Sequence, residues 1–453
     1  MSLLEQSLAE FVSSLKAGQV PPPARRVVRL MAMAVIGTGI AGAAEEGIAA
    51  LRDLLMEAGG APQASTFVFG DHLPAAAAAQ YNATMCRALD FCDAMAPGPH
   101  LGAAIFPAAL AAAELMGGCS GAEFLAALAA GAEVSSRFNL SEAQYNGFDP
   151  TGVAVVFGAA AAASRVMRLS PEQTLHALAL AFNRCSGSFQ SHVDGSLAVR
   201  VVQGWVAQAG VQCAQMAQRG ITGPLNFLSG HYGFAQLYGR GTLDAASVVA
   251  GLGQEWRLLR IVFKKYPSCG VTQGVTELAL GLVAELGLKA ADVHSAQVRL
   301  PPYAHRLVGH PFKPGANPRV DAQFSAAYCV ANAFVRQSSR LQHFAPAQVA
   351  DKAVLELISR IQVVADGALD ARGHTAVDLD VRMRDGSVHQ RGMDIAPGFP
   401  GADLTDAEHQ SRFRECMAYA PMPLSNETIE KLLVALIDLP ALADVRVLAQ
   451  WLS

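Results

Sequence analysis

From the N-terminus to about residue 255, apolar positions recur every three or four residues, the period of helices with one buried face. "GAEFLAALAAGAEVSSRF", "VFGAAAAASRVMRL", "PEQTLHALALAFNRCSG" and "RVVQGWVAQAGVQCAQMAQRG" follow this period, separated by Gly, Pro or Ser. "SPEQ" at 170–173 predicts a helix start, with Ser170 as cap and Pro171 in the first turn. After about residue 260 the period changes. "HSAQVRLPPYAHRLV", "RIQVVADGAL" and "HTAVDLDVRMRDGSVHQRGM" alternate apolar and polar as half-buried strands do, and "RDGS" reads as a hairpin turn. Helical spacing returns between them at 273–287, 322–337 and 346–359, and takes over again from about 403. The pattern predicts a mainly α chain. A large all-helical domain is expected from 1–262 and 402–453, and a smaller α+β domain from 263–401.

Composition agrees with this picture. Of 453 residues, 52% are apolar and 16% charged, enough for a large buried core. The many Ala and Gly side chains let helices approach closely. Net charge is −4 with no basic tail or stripe, so no nucleic-acid partner is expected. The eight cysteines form no CxxC pair, which argues against a zinc ribbon or a disulfide framework. The N-terminal stretch lacks a basic n-region. The most apolar run, Leu30–Ala44, is Gly-rich and shorter than a bilayer span. No membrane association is expected, and the expected location is cytoplasmic.

One motif invites a different reading. "AVIGTGIAG" carries Gly37, Gly39 and Gly42 in the G-x-G-x-x-G spacing of dinucleotide-binding folds. The upstream residues, however, continue at helical spacing from Pro23. The next acid after a possible strand, Asp71, lies too far on, and Glu45–Glu46 stand where a pyrophosphate needs positive potential. A helix-to-turn junction with small residues at a close contact is the expectation.

Several polar islands interrupt the apolar helices. "RALDFCDAMAPGPHLG" places Asp90 and Asp93 at a helix end, sharing a face by helical spacing, before a Pro/Gly turn and His100. "AQYNGFDPTG" carries Tyr145 and Asp149, and "CSGSFQSHVDGSLAVRVVQG" carries His192, Asp194 and Arg200. "VFKKYPSCG" places Lys264 and Lys265 at the junction of the two textures, where they are suited to an anionic ligand. His305 and His310 lack a third ligand, so no metal site is expected. Tyr328 lies on an otherwise small and apolar helix, where a core tyrosine with a satisfied hydroxyl is the plain reading.

Taken in order, these islands resemble the MmgE/PrpD family, which includes 2-methylcitrate dehydratase, cis-aconitate decarboxylase and iminodisuccinate epimerase. The matching signatures are LDF-x-D with H-x-G near 90, GF-x-P-T-G near 147 and DGS with V-R-x-x-Q-G near 194. GITGP with GHYGF near 220, K-x-YP-x-C near 264 and F-S-x-x-Y-x-V-A at 324 complete the set. The resemblance runs from about 25 to 420. It implies an all-α domain built from both chain ends, an α+β lid, a homodimer, and a cleft between domains that binds a small polycarboxylate without metal or organic cofactor. It puts Asp90, His100, Lys264 and Tyr328 at positions that line the cleft. Three departures stand out: Ala94 replaces a usual Thr, Asp149 a His, and Val199 a Lys. These losses hurt dehydration and decarboxylation more than a simple proton swap at carbon.

The expected chemistry is therefore proton transfer next to a carboxylate. His100 is assigned as base or acid, oriented by Asp90, with Lys264 as second acid/base or enolate stabiliser. Arg200 and Lys265 would clamp carboxylates, and Tyr328 or Tyr145 would donate a hydrogen bond. His192 and Asp93 complete the substrate-facing set. An isomerase or epimerase is placed ahead of a hydro-lyase, then a decarboxylase; a lapsed enzyme that only binds a carboxylate is the alternative of another class.

Overall fold

Two prolines open the helix Pro22–Ala41, where a missing N–H costs nothing, and small residues carry it inward. The computed structural model, which describes residues 3–315 and 317–453, is mainly helical with small sheets. Its contacts divide it into two compact units, residues up to Ile261 with Arg412–Ser453, and Val262–Ser411.

In the first unit, small residues set the spacing of the helices. A Cβ on Gly158 would lie 2.4 Å from the carbonyl oxygen of Gly131 and 1.9 Å from Ser135 Oγ. The helices Gly121–Arg137 and Pro150–Val166 therefore cross almost backbone to backbone. The G-x-G-x-x-G glycines do the same work. Gly37, Gly39 and Gly42 belong to a helix and its last turn, and added Cβ atoms would meet Cys416, Cys86 and the Met85 carbonyl. They are packing glycines, and the stretch is helix where a dinucleotide site needs a strand. This helix outruns the apolar run read from the sequence. With its 3₁₀ end it spans 23 residues, long enough to cross a membrane, but 78% of its apolar window is buried in the protein. Ser170 caps the helix Pro171–Phe182 by accepting from Gln173 N, and Phe138, Phe157, Phe227 and Phe234 form an aromatic cluster in the core.

The second unit holds a four-stranded sheet. Val293–Leu300 pairs in parallel with Ile361–Ala365 on one side and antiparallel with Val377–Met383 on the other. Val377–Met383 then turns through Asp385–Gly386 into Val388–Met393, with Gly386 at φ +92°. Val298, Leu300, Leu379 and Val381 point into a core shared with the helices Gln273–Leu286 and Ala326–Arg336. Two local expectations differ from the structure. "PPYAHRLV" continues as a helix, Pro302–Val308, because Pro301 and Pro302 have no N–H for the ladder. The segment 346–359 breaks into two helices because Asp351 caps the second by accepting from Ala353 N and Val354 N.

Candidate functional site

The helix Ala75–Arg87 stops short of the two aspartates. Asp90 has φ +52°, so helical spacing does not apply to it and the shared face expected for Asp90 and Asp93 does not form. The two acids do different work. Asp93 is fully buried and caps the helix Gly102–Leu115: its Oδ1 and Oδ2 accept from Gly102 N at 3.1 and 2.9 Å, and Oδ2 from Leu101 N at 3.2 Å. Gly102 is required there, since a Cβ would lie 2.5 Å from Asp93 Oδ1. Burial pushes the Asp93 carboxyl up to about 6, against the pull of those N–H groups and of Arg412. Asp90 instead forms a buried ion pair with Arg87, 2.6 Å from Nη1. Burial works against the charge of Arg87, but Asp90, with Cys92 and Asp149 further off, raises its pKa above the ordinary value.

His100 is held at four points. Its backbone N–H donates to Thr151 Oγ1 at 3.1 Å, and its carbonyl accepts from Gln203 Nε2 at 2.9 Å. Its ring Nδ1 lies 2.8 Å from the Asp93 carbonyl and 3.4 Å from Cys92 Sγ. A carbonyl only accepts, so Nδ1 carries the proton and the lone pair of the neutral ring is on Nε2. Nε2 stands 3.7 Å from Asp90 Oδ1. Asp93 therefore orients the imidazole through its main chain, while Asp90 faces the other ring nitrogen.

A second imidazole joins the same neighbourhood. Asp149 caps the helix Pro150–Val166, its Oδ1 accepting from Thr151 N at 2.8 Å and Gly152 N at 3.1 Å, and its Oδ2 lies 3.2 Å from His192 Nε2. Arg200 and Gln203 sit one turn apart on the helix Ala198–Gln218; Arg200 is buried and its Nη1 donates to the Glu46 carbonyl at 2.8 Å. Tyr145 is buried, donating to Asn139 Oδ1 at 2.7 Å and accepting from Leu140 N at 3.1 Å; burial raises its pKa.

Three expected residues belong to the other unit. Lys264 is buried. Lys265 pairs with Glu277 Oε1 at 2.9 Å and Glu408 Oε1 at 3.1 Å, so a ligand carboxylate there would have to displace one of its own acids. Tyr328 is fully buried, donates to the His343 carbonyl at 2.5 Å and receives Arg336 Nη1 at 3.3 Å; burial pushes it up to about 12. Its proton is committed to the core of its own unit, the plain reading of that helix.

Sequence reasoning passed over Arg87, Thr151, Gln203 and Arg412. Arg412 donates to the Phe91 carbonyl at 2.8 Å and covers the Phe91 ring at 4.5 Å. The i,i+3 spacing of Arg87 and Asp90 and the polar Gln203 on an apolar helix face were available signals; nothing local marks Arg412.

The chain matches the MmgE/PrpD N-terminal domain over residues 6–245 and the MmgE/PrpD C-terminal domain over residues 266–436. It is 24% identical to cis-aconitate decarboxylase of Homo sapiens over 99% of this chain and 94% of that protein. It is 25% identical to the cis-aconitate decarboxylase-like protein oryM of Aspergillus oryzae over 98% of this chain and 96% of that one. The Mus musculus cis-aconitate decarboxylase is 24% identical over 84% of this chain and 79% of its own length. Two domain matches that together cover most of the chain, and relatives aligned nearly end to end, make this protein a member of the MmgE/PrpD family.

Proposed function

We propose that this protein is an enzyme that moves a proton at a carbon next to a carboxylate of a small di- or tricarboxylate, using His100 as the proton carrier and no cofactor. The observation that carries the reading is the His100 tautomer. The Asp93 carbonyl holds Nδ1–H, and Nε2 faces the Asp90–Arg87 pair. Such an imidazole takes a proton from carbon through Nε2, and Asp90 stabilises the imidazolium that results. The electron pair left on carbon delocalises into the neighbouring carboxylate, which needs nearby cations. Buried Arg200, in the same unit as His100, is the candidate for that role. Lys265 is already neutralised by two carboxylates of its own unit.

Ala94, Asp149 and Val199, at positions where lyase members carry polar groups, favour an isomerase or epimerase outcome. A second reading, decarboxylation or dehydration, is favoured by the names of the relatives, which are cis-aconitate decarboxylases or a like protein. Incubating the protein with cis-aconitate, 2-methylcitrate and iminodisuccinate and following products by NMR separates these outcomes. Stereochemical inversion supports the first reading, and loss of CO₂ or water the second. A chain that binds these acids and changes none of them is a lapsed enzyme.

A further inference from the structure

We propose that His192, held by Asp149, is a second proton-transfer group that works with His100; this rests on the proton-transfer reading above. Asp149 is buried and fixed from two sides. Its Oδ1 is used by two N–H groups of the helix Pro150–Val166, which leaves Oδ2 to meet His192 Nε2 at 3.2 Å. The segments carrying the two residues are laced together by backbone hydrogen bonds. Asp149 N donates to Gly187 O at 3.1 Å, Phe189 N to Gly147 O at 2.8 Å, and Ser186 N to Gly152 O at 3.2 Å. They approach so closely that a Cβ on Gly187, at φ +95°, would lie 2.8 Å from Asp149 Cβ. The His192 ring also stacks on Phe189, with centroids 4.6 Å apart and planes 19° apart. An exposed capping histidine needs none of this.

The placement ties this pair to His100. Thr151, two residues after Asp149, accepts the backbone N–H of His100. One helix N-terminus thus holds the main chain of His100 and the ring of His192, and the Arg87 guanidinium feels both Asp90 and Asp149. The two rings are held in opposite senses. His100 is anchored through Nδ1 and works through Nε2; His192 is anchored through Nε2 and works through Nδ1. His192 remains partly open, its side chain 18% exposed, so solvent can reset its proton.

Proton transfer at carbon requires two events. His100 Nε2 takes the proton, and the C–H electron pair moves into the enolate of the carboxylate. His192, protonated on both ring nitrogens at the start with Nε2–H on Asp149, then delivers its Nδ1 proton, to the opposite face of the same carbon in an epimerisation or to the departing hydroxyl in a dehydration. At the end His100 has gained one proton and His192 has lost one, and exchange with water restores both.

The test is deuterium NMR in D₂O with cis-aconitate, 2-methylcitrate and iminodisuccinate as probes, on wild type, His192→Gln, Asp149→Asn and His100→Gln. His192→Gln is expected to lose net turnover about 100-fold or more, with KM little changed, while recovered substrate still gains deuterium because His100 is intact. Asp149→Asn, whose amide oxygen still caps the helix, should show the same split more weakly. His100→Gln should lose both wash-in and turnover. Full turnover in His192→Gln, or loss of wash-in together with turnover at an unchanged thermal midpoint, overturns the role of His192 and leaves the His100 reading standing. A wild-type protein that exchanges and converts none of the probes overturns the proposed function, and the role of His192 with it.

Discussion

At the scale of single residues, the site turns on two aspartates that look alike in the sequence and differ in the fold. Asp93 is buried under a helix N-terminus, and Asp90 faces the His100 ring. Asp90→Asn should therefore lower turnover more than Asp93→Asn, measured as kcat of the folded fraction; equal losses would remove Asp90 from the proton path. Asp93 should show itself in stability instead. Its carboxyl rises from the ordinary 3.8 to about 6, so between these values the native state binds more protons than the unfolded chain. The stability it contributes is complete below about pH 4 and is lost as pH rises through about 6. Denaturant unfolding of wild type and Asp93→Asn across pH 4 to 7 should show the variant gaining on wild type as pH rises; a constant difference would contradict the assignment. The sequence marked His100, Asp90 and Asp149 as polar residues at breaks between apolar helices. The hydrogen bond from Gln203 and the tautomer set by a main-chain carbonyl come from residues distant in sequence, and no local pattern announces them.

At the scale of elements, local chemistry was legible where one turn decides the outcome. Ser170 caps its helix, "RDGS" makes its hairpin, and the 273–287 pattern becomes Gln273–Leu286. It was less legible where a cap falls inside an apolar period or a proline ladder defect intervenes, as at Asp351 and Pro301–Pro302. The same limit explains the glycines of "AVIGTGIAG". Spacing cannot tell a phosphate cradle from a packing seam, because both need the missing Cβ. Packing seams make a direct prediction. Gly158→Ala places a methyl group 2.4 Å from the Gly131 carbonyl and should cost at least about 1–3 kcal/mol, read as a lower midpoint in denaturant unfolding. An unchanged midpoint would mean that the two helices separate more readily than their contact implies.

At the scale of the whole molecule, large apolar side chains are exposed at several points between residues 193 and 237 of the first unit: Val193, Trp205, Ile221, Tyr232 and Leu237. We propose a homodimer that covers part of this exposed apolar surface. Light scattering at micromolar concentration should give twice the chain mass, and Trp205→Glu should lower it; a wild-type monomer would contradict the dimer. The family assignment spans both domain matches, and the functional proposal reduces to one ring in the first unit. Solvent-deuterium incorporation into cis-aconitate, 2-methylcitrate and iminodisuccinate, followed by NMR for wild type and His100→Ala at matched thermal midpoints, tests it most directly. Deuterium should enter at the carbon next to a carboxylate with wild type and be abolished in His100→Ala. Full exchange by His100→Ala would contradict the account and take the proton transfer away from His100.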